Sequence, residues 1–258
     1  MPSRRFILGV FAHPDDESMG TGATLAKYAA MGHRVAFVTA TDGGAGRMHE
    51  QRPQDEAGRE LLKSTRRAET LRAAEILGIE SLGFWGWDDG GLAKRNILEV
   101  EEKIAALIRR ERPDVVITFH GSGISYHPDH RIMTMATTAA FLGSGREGWY
   151  CAGEPAALPP HSPAKLYALV LNAAAPYWKD WPRVVYRADT SEITTTIDTS
   201  ETADLKWKAI QAHDTQSYGP PFVKLYEAGA FKQEYFVRLF PTARPGEMES
   251  DLLAGLQE

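Results

Sequence analysis

Two short clusters of imidazoles and carboxylates are the residues of this chain best equipped for chemistry. One is Ala12-His13-Pro14-Asp15-Asp16-Glu17 and the other is Tyr126-His127-Pro128-Asp129-His130. In each, a proline with fixed φ stiffens the turn that brings the polar side chains together. A lone histidine or a lone Asp-Asp pair reads as a solvated turn, but two His-Pro-Asp clusters in one chain do not. Carboxylates crowded side by side repel, and a bound cation relieves the repulsion. Histidine nitrogen with carboxylate oxygen is the donor set of a catalytic zinc ion, which keeps an open position for water. Such an ion brings the pKa of its water toward neutrality, and a nearby carboxylate that is not a ligand then serves as general base.

Hydrophobic periodicity places both clusters at strand ends. Phe6–Ala12 is a continuous apolar run, the pattern of a central parallel strand covered on both faces. Arg34–Thr41, Ser81–Trp85, Asp114–Phe119 and Lys165–Leu171 read as further strands. Met19–Met31, Arg66–Leu77, Ile97–Arg109 and Asp129–Leu142 read as the helices between them. This alternation predicts right-handed βαβ units. The expected fold is α/β: a Rossmann-like, mostly parallel sheet flanked by helices, with a small C-terminal β/α extension (strand Glu192–Asp198, helix Glu201–His213), as a single domain over residues 1–258. In such sheets, ligands bind beyond the carboxyl ends of the strands. The first cluster follows the first strand and the second follows Asp114–Phe119, so both fall on that edge. The polar segments 42–63 and 143–163 read as long loops, the first a candidate lid carrying Arg47, His49, Arg52 and Arg59.

Composition narrows the function. With 29 basic and 34 acidic residues, the net charge of −5 argues against a nucleic-acid partner. Cys151 is the only cysteine, so neither an intramolecular disulfide nor a cysteine-built zinc site can form. No apolar run is long enough for a membrane span. Arg4-Arg5 before an apolar run imitates a signal peptide, but the run is short and no small-residue cleavage site follows, so the expected location is cytoplasmic.

The paired motifs resemble those of the LmbE-like family of zinc-dependent de-N-acetylases, which act on N-acetylglucosaminyl-phosphatidylinositol, on mycothiol and bacillithiol precursors and on chitobiose. The resemblance extends to Arg66-x-x-Glu69-x-x-x-Ala73-Ala74-x-x-Leu77-Gly78, to Asp89-Gly90-Gly91-Leu92, and to Lys206–Gln216 with His213 and Gln216. It implies that His13, Asp16 and His130 hold the metal, zinc with ferrous iron as the alternative. It implies Asp15 as general base, His127 as oxyanion stabiliser and Asp129 as the residue orienting His127. Arg66 and Asp89 match positions that contact sugar hydroxyls. The expected activity is removal of the N-acetyl group from an N-acetylglucosamine-containing small molecule, releasing acetate. Ser125-Tyr126 stands where the family usually has Gly before the histidine. Tyr126 therefore either supplies a phenol at the substrate site or faces elsewhere. The resemblance leaves a homo-oligomer open.

Other signals compete. Gly20-Thr21-Gly22, with Asp42 further on, imitates a dinucleotide fingerprint, but the third glycine is missing and the pair lies too far past the strand. Close packing of helix on sheet is the simpler reading of those glycines. A non-hydrolytic nucleotide-binding module and an amidase for thiol-sugar conjugates are the alternative functions. His120 reads as a residue near the site, His213 as either structural or substrate-facing. Trp85 and Trp87 read as either sugar-stacking or core.

Overall fold

The computed structural model describes residues 3–147, 149, 158–178, 181–216 and 218–256. Cys151 and much of the 143–163 loop lie outside the described residues. Five parallel strands form the body of the sheet: β1 (Phe6–Phe11), β2 (Arg34–Thr41), β3 (Glu80–Trp87), β4 (Val115–Phe119) and β5 (Lys165–Val170). Two more, β6 (Thr195–Asp198) and β7 (Gln233–Phe240), extend it antiparallel. The spatial order is β3-β2-β1-β4-β5-β7-β6. The mostly parallel α/β sheet expected from the sequence is therefore present.

Every residue of β1, β4 and β5 is buried, as their unbroken apolar runs require of strands covered on both faces. The helices are α1 (Asp16–Met19), α2 (Gly22–Ala30), α3 (Glu56–Leu77), α4 (Ile97–Glu111), α5 (Pro128–Ser144), α6 (Ala203–Ala212) and α7 (Pro220–Glu227). Helix α4 packs on α5, whereas α2, α3 and α6 pack on one another. The two groups cover opposite faces, as right-handed crossovers from a central β1 demand.

Several boundaries differ from expectation. The segment read as one helix over Met19–Met31 is two helices, broken at Gly20-Thr21. A Cβ on Gly20 would stand 2.2 Å from Leu169 Cδ2 on β5, so this glycine serves close packing, as expected of it. Helix α3 begins ten residues before Arg66, with Asp55 capping it by accepting the Gly58 N–H at 2.8 Å. Helix α7 and strand β7 were not expected. Among the described residues, no helix is long and apolar enough to cross a membrane.

Candidate active site

The strand order reverses between β1, which leads on to β2 on one side, and β4 on the other. This switch point is where open α/β sheets hold their ligands. Both motif clusters meet there. His13 follows β1 directly, and the turn after it forces Asp15 to φ 120°, a conformation rarely adopted by residues other than glycine. Asp16 opens α1, and its Oδ2 accepts the backbone N–H groups of Ala12 and His13 at 3.2 and 2.7 Å. On the other side, His127 caps α5, with Pro128 in the first turn. His130 follows one turn on, stacked on Phe119 with ring centroids 3.9 Å apart.

Each of the two imidazoles has one nitrogen already committed. His13 Nε2 lies 3.2 Å from Asp89 Oδ1 and 3.3 Å from Asp129 Oδ2. His130 Nδ1 lies 3.0 Å from the Gly123 carbonyl. These acceptors take the N–H of each ring. The other nitrogens, His13 Nδ1 and His130 Nε2, then face each other with lone pairs at 3.0 Å. Two lone pairs at this separation call for a positive charge between them, a shared proton or a metal ion. Asp16 Oδ1 is 3.3 Å from the same His130 nitrogen. Two ligands of a tetrahedral zinc, each about 2.05 Å from the ion, are about 3.3 Å apart. The spacing and the carboxylate or carbonyl behind each imidazole both fit a divalent cation. His127 is a second candidate for the third ligand, since its ligating nitrogen and those of His13 and His130 all lie within 4.8 Å of one another.

With no metal bound, a proton takes that place. Burial opposes charge on His13, but Asp129, Asp16 and Asp89, as hydrogen-bond acceptors, outweigh it and hold the pKa well above the ordinary value. Burial likewise opposes charge on Asp16, yet His130 and His13 hold its carboxyl well below the usual range. Asp15 behaves differently. Burial raises its pKa, the Asp16 charge adds to the rise, and Arg66 only partly offsets it. Burial lowers the pKa of His127, with the neighbouring His13 and His130 adding to the effect.

Some expected residues stand elsewhere. The Asp129 carboxylate does not touch His127. It accepts from the backbone N–H groups of Gly90 and Leu92 at 2.7 and 3.0 Å and faces His13. Only the backbone N–H of Asp129 reaches His127, donating to Nδ1 at 3.2 Å. Asp89 and Arg66, expected on sugar hydroxyls, both line the cavity, and Asp89 also backs His13. Arg66 lies buried on Asp15, with Nη2 2.9 Å from Oδ2, and donates to the Gly43 carbonyl at 2.9 Å. Tyr126 is 51% exposed at φ 58° and does not line the cavity.

The phenol at the site belongs instead to Tyr218, whose hydroxyl donates to Asp15 Oδ2 at 2.5 Å. The nearest sequence signal for it was the His213–Gln216 motif, which ends two residues before it. His120 stacks on Tyr186 at 4.5 Å and does not line the cavity, and His213 is buried on Glu17 at 2.8 Å. Trp85 and Trp87 pack partly buried against the main core. Of the expected lid, Ala45, Gly46 and Arg52 line the cavity, which has a volume of ≈590 Å³.

An open parallel sheet with paired imidazoles and a carboxylate converging at its switch point defines a metal-site α/β hydrolase. A family model described as GlcNAc-PI de-N-acetylase (PIG-L) matches residues 8–141. The 1D-myo-inositol 2-acetamido-2-deoxy-alpha-D-glucopyranoside deacetylase of Thermomonospora curvata is 32% identical over 289 residues, covering 98% of this chain and 97% of the relative. The protein of that name from Acidothermus cellulolyticus is 34% identical over 281 residues, covering 98% and 95%. The chain belongs to the GlcNAc-PI de-N-acetylase (PIG-L) family. Among solved structures, the N,N'-diacetylchitobiose deacetylase of Pyrococcus horikoshii superposes with TM-score 0.68 at 23% identity, covering 91% of this chain and 84% of that one. The 4-carboxy-2-hydroxymuconate hydratase of Pseudomonas putida superposes with TM-score 0.67 at 22% identity, covering 93% and 98%. The same fold thus carries unlike reactions, and function has to be argued from the site.

Proposed function

We propose that the protein is a metal-dependent N-deacetylase that hydrolyses the acetamido group of an N-acetylglucosamine-containing small molecule to acetate and a free amine. The observation that carries this reading is the pair of facing imidazole nitrogens, His13 Nδ1 and His130 Nε2, with Asp16 Oδ1 beside them. We take His13, Asp16 and His130 as the ligands and zinc as the ion, the donor set being that of a catalytic zinc site. Bound there, the ion would polarise the acetamido carbonyl and acidify the attacking water.

The chain supplies the rest. Arg66 and Tyr218 both hold Asp15 Oδ2, which leaves Oδ1 to accept the proton of the attacking water. The raised pKa of Asp15 suits a base that must then hand that proton to the leaving amine. With Nδ1 of His127 accepting the Asp129 N–H, the neutral ring carries its proton on Nε2 and can donate to the developing oxyanion. Asp129 and Asp89 keep His13 in the ligating tautomer.

The test joins metal analysis with acetate release from N-acetylglucosaminides. We expect one zinc per chain, activity lost on chelation and restored by zinc, and a drop of about 10²–10⁴-fold in kcat for Asp15→Asn with the metal retained. A chelated protein that keeps its rate, or an Asp15→Asn variant that does, would overturn the reading. A full complement of iron instead would replace zinc as the ion.

A further inference from the structure

The cavity has two unlike walls. Around the metal ligands it is polar, formed by His13, Asp15, Asp16, Arg66, His127 and His130. The other wall is formed by Met19, Trp178, Trp181, Phe222, Leu225 and Phe231. These six belong to an apolar cluster separate from the main core, built around α6, α7 and the segment that precedes β6. Among the described residues, the buried charges on this side, Lys206 and Glu234, pair with each other at 2.6 Å.

An aromatic chain connects the two walls. Trp178 meets Trp181 edge to face at 5.7 Å, Trp181 meets Phe222 at 5.0 Å, and Phe222 meets Tyr218 at 4.9 Å. Tyr218 ends the chain with its hydroxyl on Asp15. The apolar wall therefore begins beside the general base and lies within reach of the same bound molecule.

We infer that this wall receives an apolar aglycone, so that the substrate is an N-acetylglucosaminide carrying an alkyl or aryl group. The inference rests on the deacetylase reading above. The acyl group removed in that reaction offers one methyl carbon, which cannot cover six large side chains. A polyol such as inositol would set most of its hydroxyls against aromatic and aliphatic carbon, with the unpartnered indole N–H groups of Trp178 and Trp181 as the donors these six side chains offer it. The occupant that matches this wall is the substituent at the other end of the sugar.

The probes are the hexyl, methyl and inositol glycosides of N-acetylglucosamine, and methyl N-hexanoylglucosaminide. Binding is read from tryptophan fluorescence, with and without metal, and acetate release is read in parallel. The hexyl glycoside is expected to bind at least about tenfold more tightly than the methyl glycoside, as burial of several methylenes demands. Trp181→Ala and Phe222→Leu should each shrink that ratio, and the conservative second change keeps the test valid should the first unfold the protein. Acetate release with equal binding of hexyl and methyl glycosides, or with a preference for inositol, overturns the apolar-aglycone assignment alone. A gain confined to the N-hexanoyl compound assigns the wall to the acyl chain and also overturns it. No acetate from any glycoside overturns the deacetylase reading, and this assignment with it.

Discussion

Asp15 receives two donors on one carboxylate oxygen, the Arg66 guanidinium and the Tyr218 hydroxyl, while its backbone N–H is held by Glu17 at 3.1 Å. This fixes the direction of the free oxygen. Tyr218→Phe removes one of the two constraints, and a lost hydrogen bond to a charged group is worth about 1.5–3 kcal/mol. We expect kcat to fall about 10–100-fold with KM and metal content unchanged, as steady-state kinetics and metal analysis would read. Asp129→Asn acts elsewhere, by weakening the support of His13 Nε2. The expected outcome is a loss of about 10–100-fold in metal affinity, measured by competition with a chelator. The sequence announced His13, Asp15, Asp16, His127 and His130, which the fold brings to one cavity, because each belongs to a compact motif. It did not announce which carboxylate backs which imidazole. Asp129 turns to His13, a partner 116 positions away, because its two oxygens are already drawn to the N–H groups of Gly90 and Leu92. Tyr218 was hidden for a related reason: it lies just past the His213–Gln216 motif, and only folding brings it 203 positions back to Asp15.

The elements show the same division between what is local and what is not. Strands β1, β2, β4 and β5 are continuous apolar or β-branched runs, and they fall within a residue or two of the positions read from pattern. The start of α3 was missed because Glu56–Thr65 is mostly polar and solvent-facing, although Asp55 was there as a cap. Helix α7 opens with Pro220-Pro221, which reads as a breaker yet is acceptable in a first turn. Strand β7 inverts the usual alternation, since Glu234 and Arg238 are among its buried residues. Glu234 accounts for its own burial. It accepts the N–H groups of Ala23 and Thr24 at 3.2 and 2.8 Å, capping α2, whose Thr21 side chain makes no capping bond, and it pairs with Lys206 of α6. One carboxylate thus joins α2, α6 and β7. Glu234→Gln leaves a buried ammonium without its counter-charge, and we expect about 3–5 kcal/mol of lost stability in chemical denaturation.

At the scale of the whole molecule, the antiparallel extension is fastened to the parallel body by a charged knot. Glu249 accepts from Lys165 and Tyr167 of β5 at 2.7 Å each and from Arg238 of β7 at 2.5 Å. Burial would raise its pKa, but these partners outweigh burial and hold it below the ordinary 4.5. A depressed carboxylate contributes stability above its unfolded pKa and loses it as pH falls through the folded value. The denaturation midpoint should therefore drop on acidification below about pH 4.5, and Glu249→Gln should flatten that limb while lowering stability at pH 7. The order of the sheet has a consequence for synthesis. Strand β7 lies between β5 and β6, so β6 has no hydrogen-bonded neighbour until the ribosome has made residues 233–240. His13, Asp16 and His130 emerge long before that, and Tyr218 emerges shortly before the closing strand. A nascent chain can thus carry His13, Asp16 and His130 while Asp15 still lacks its phenol partner and β5 is still an open edge.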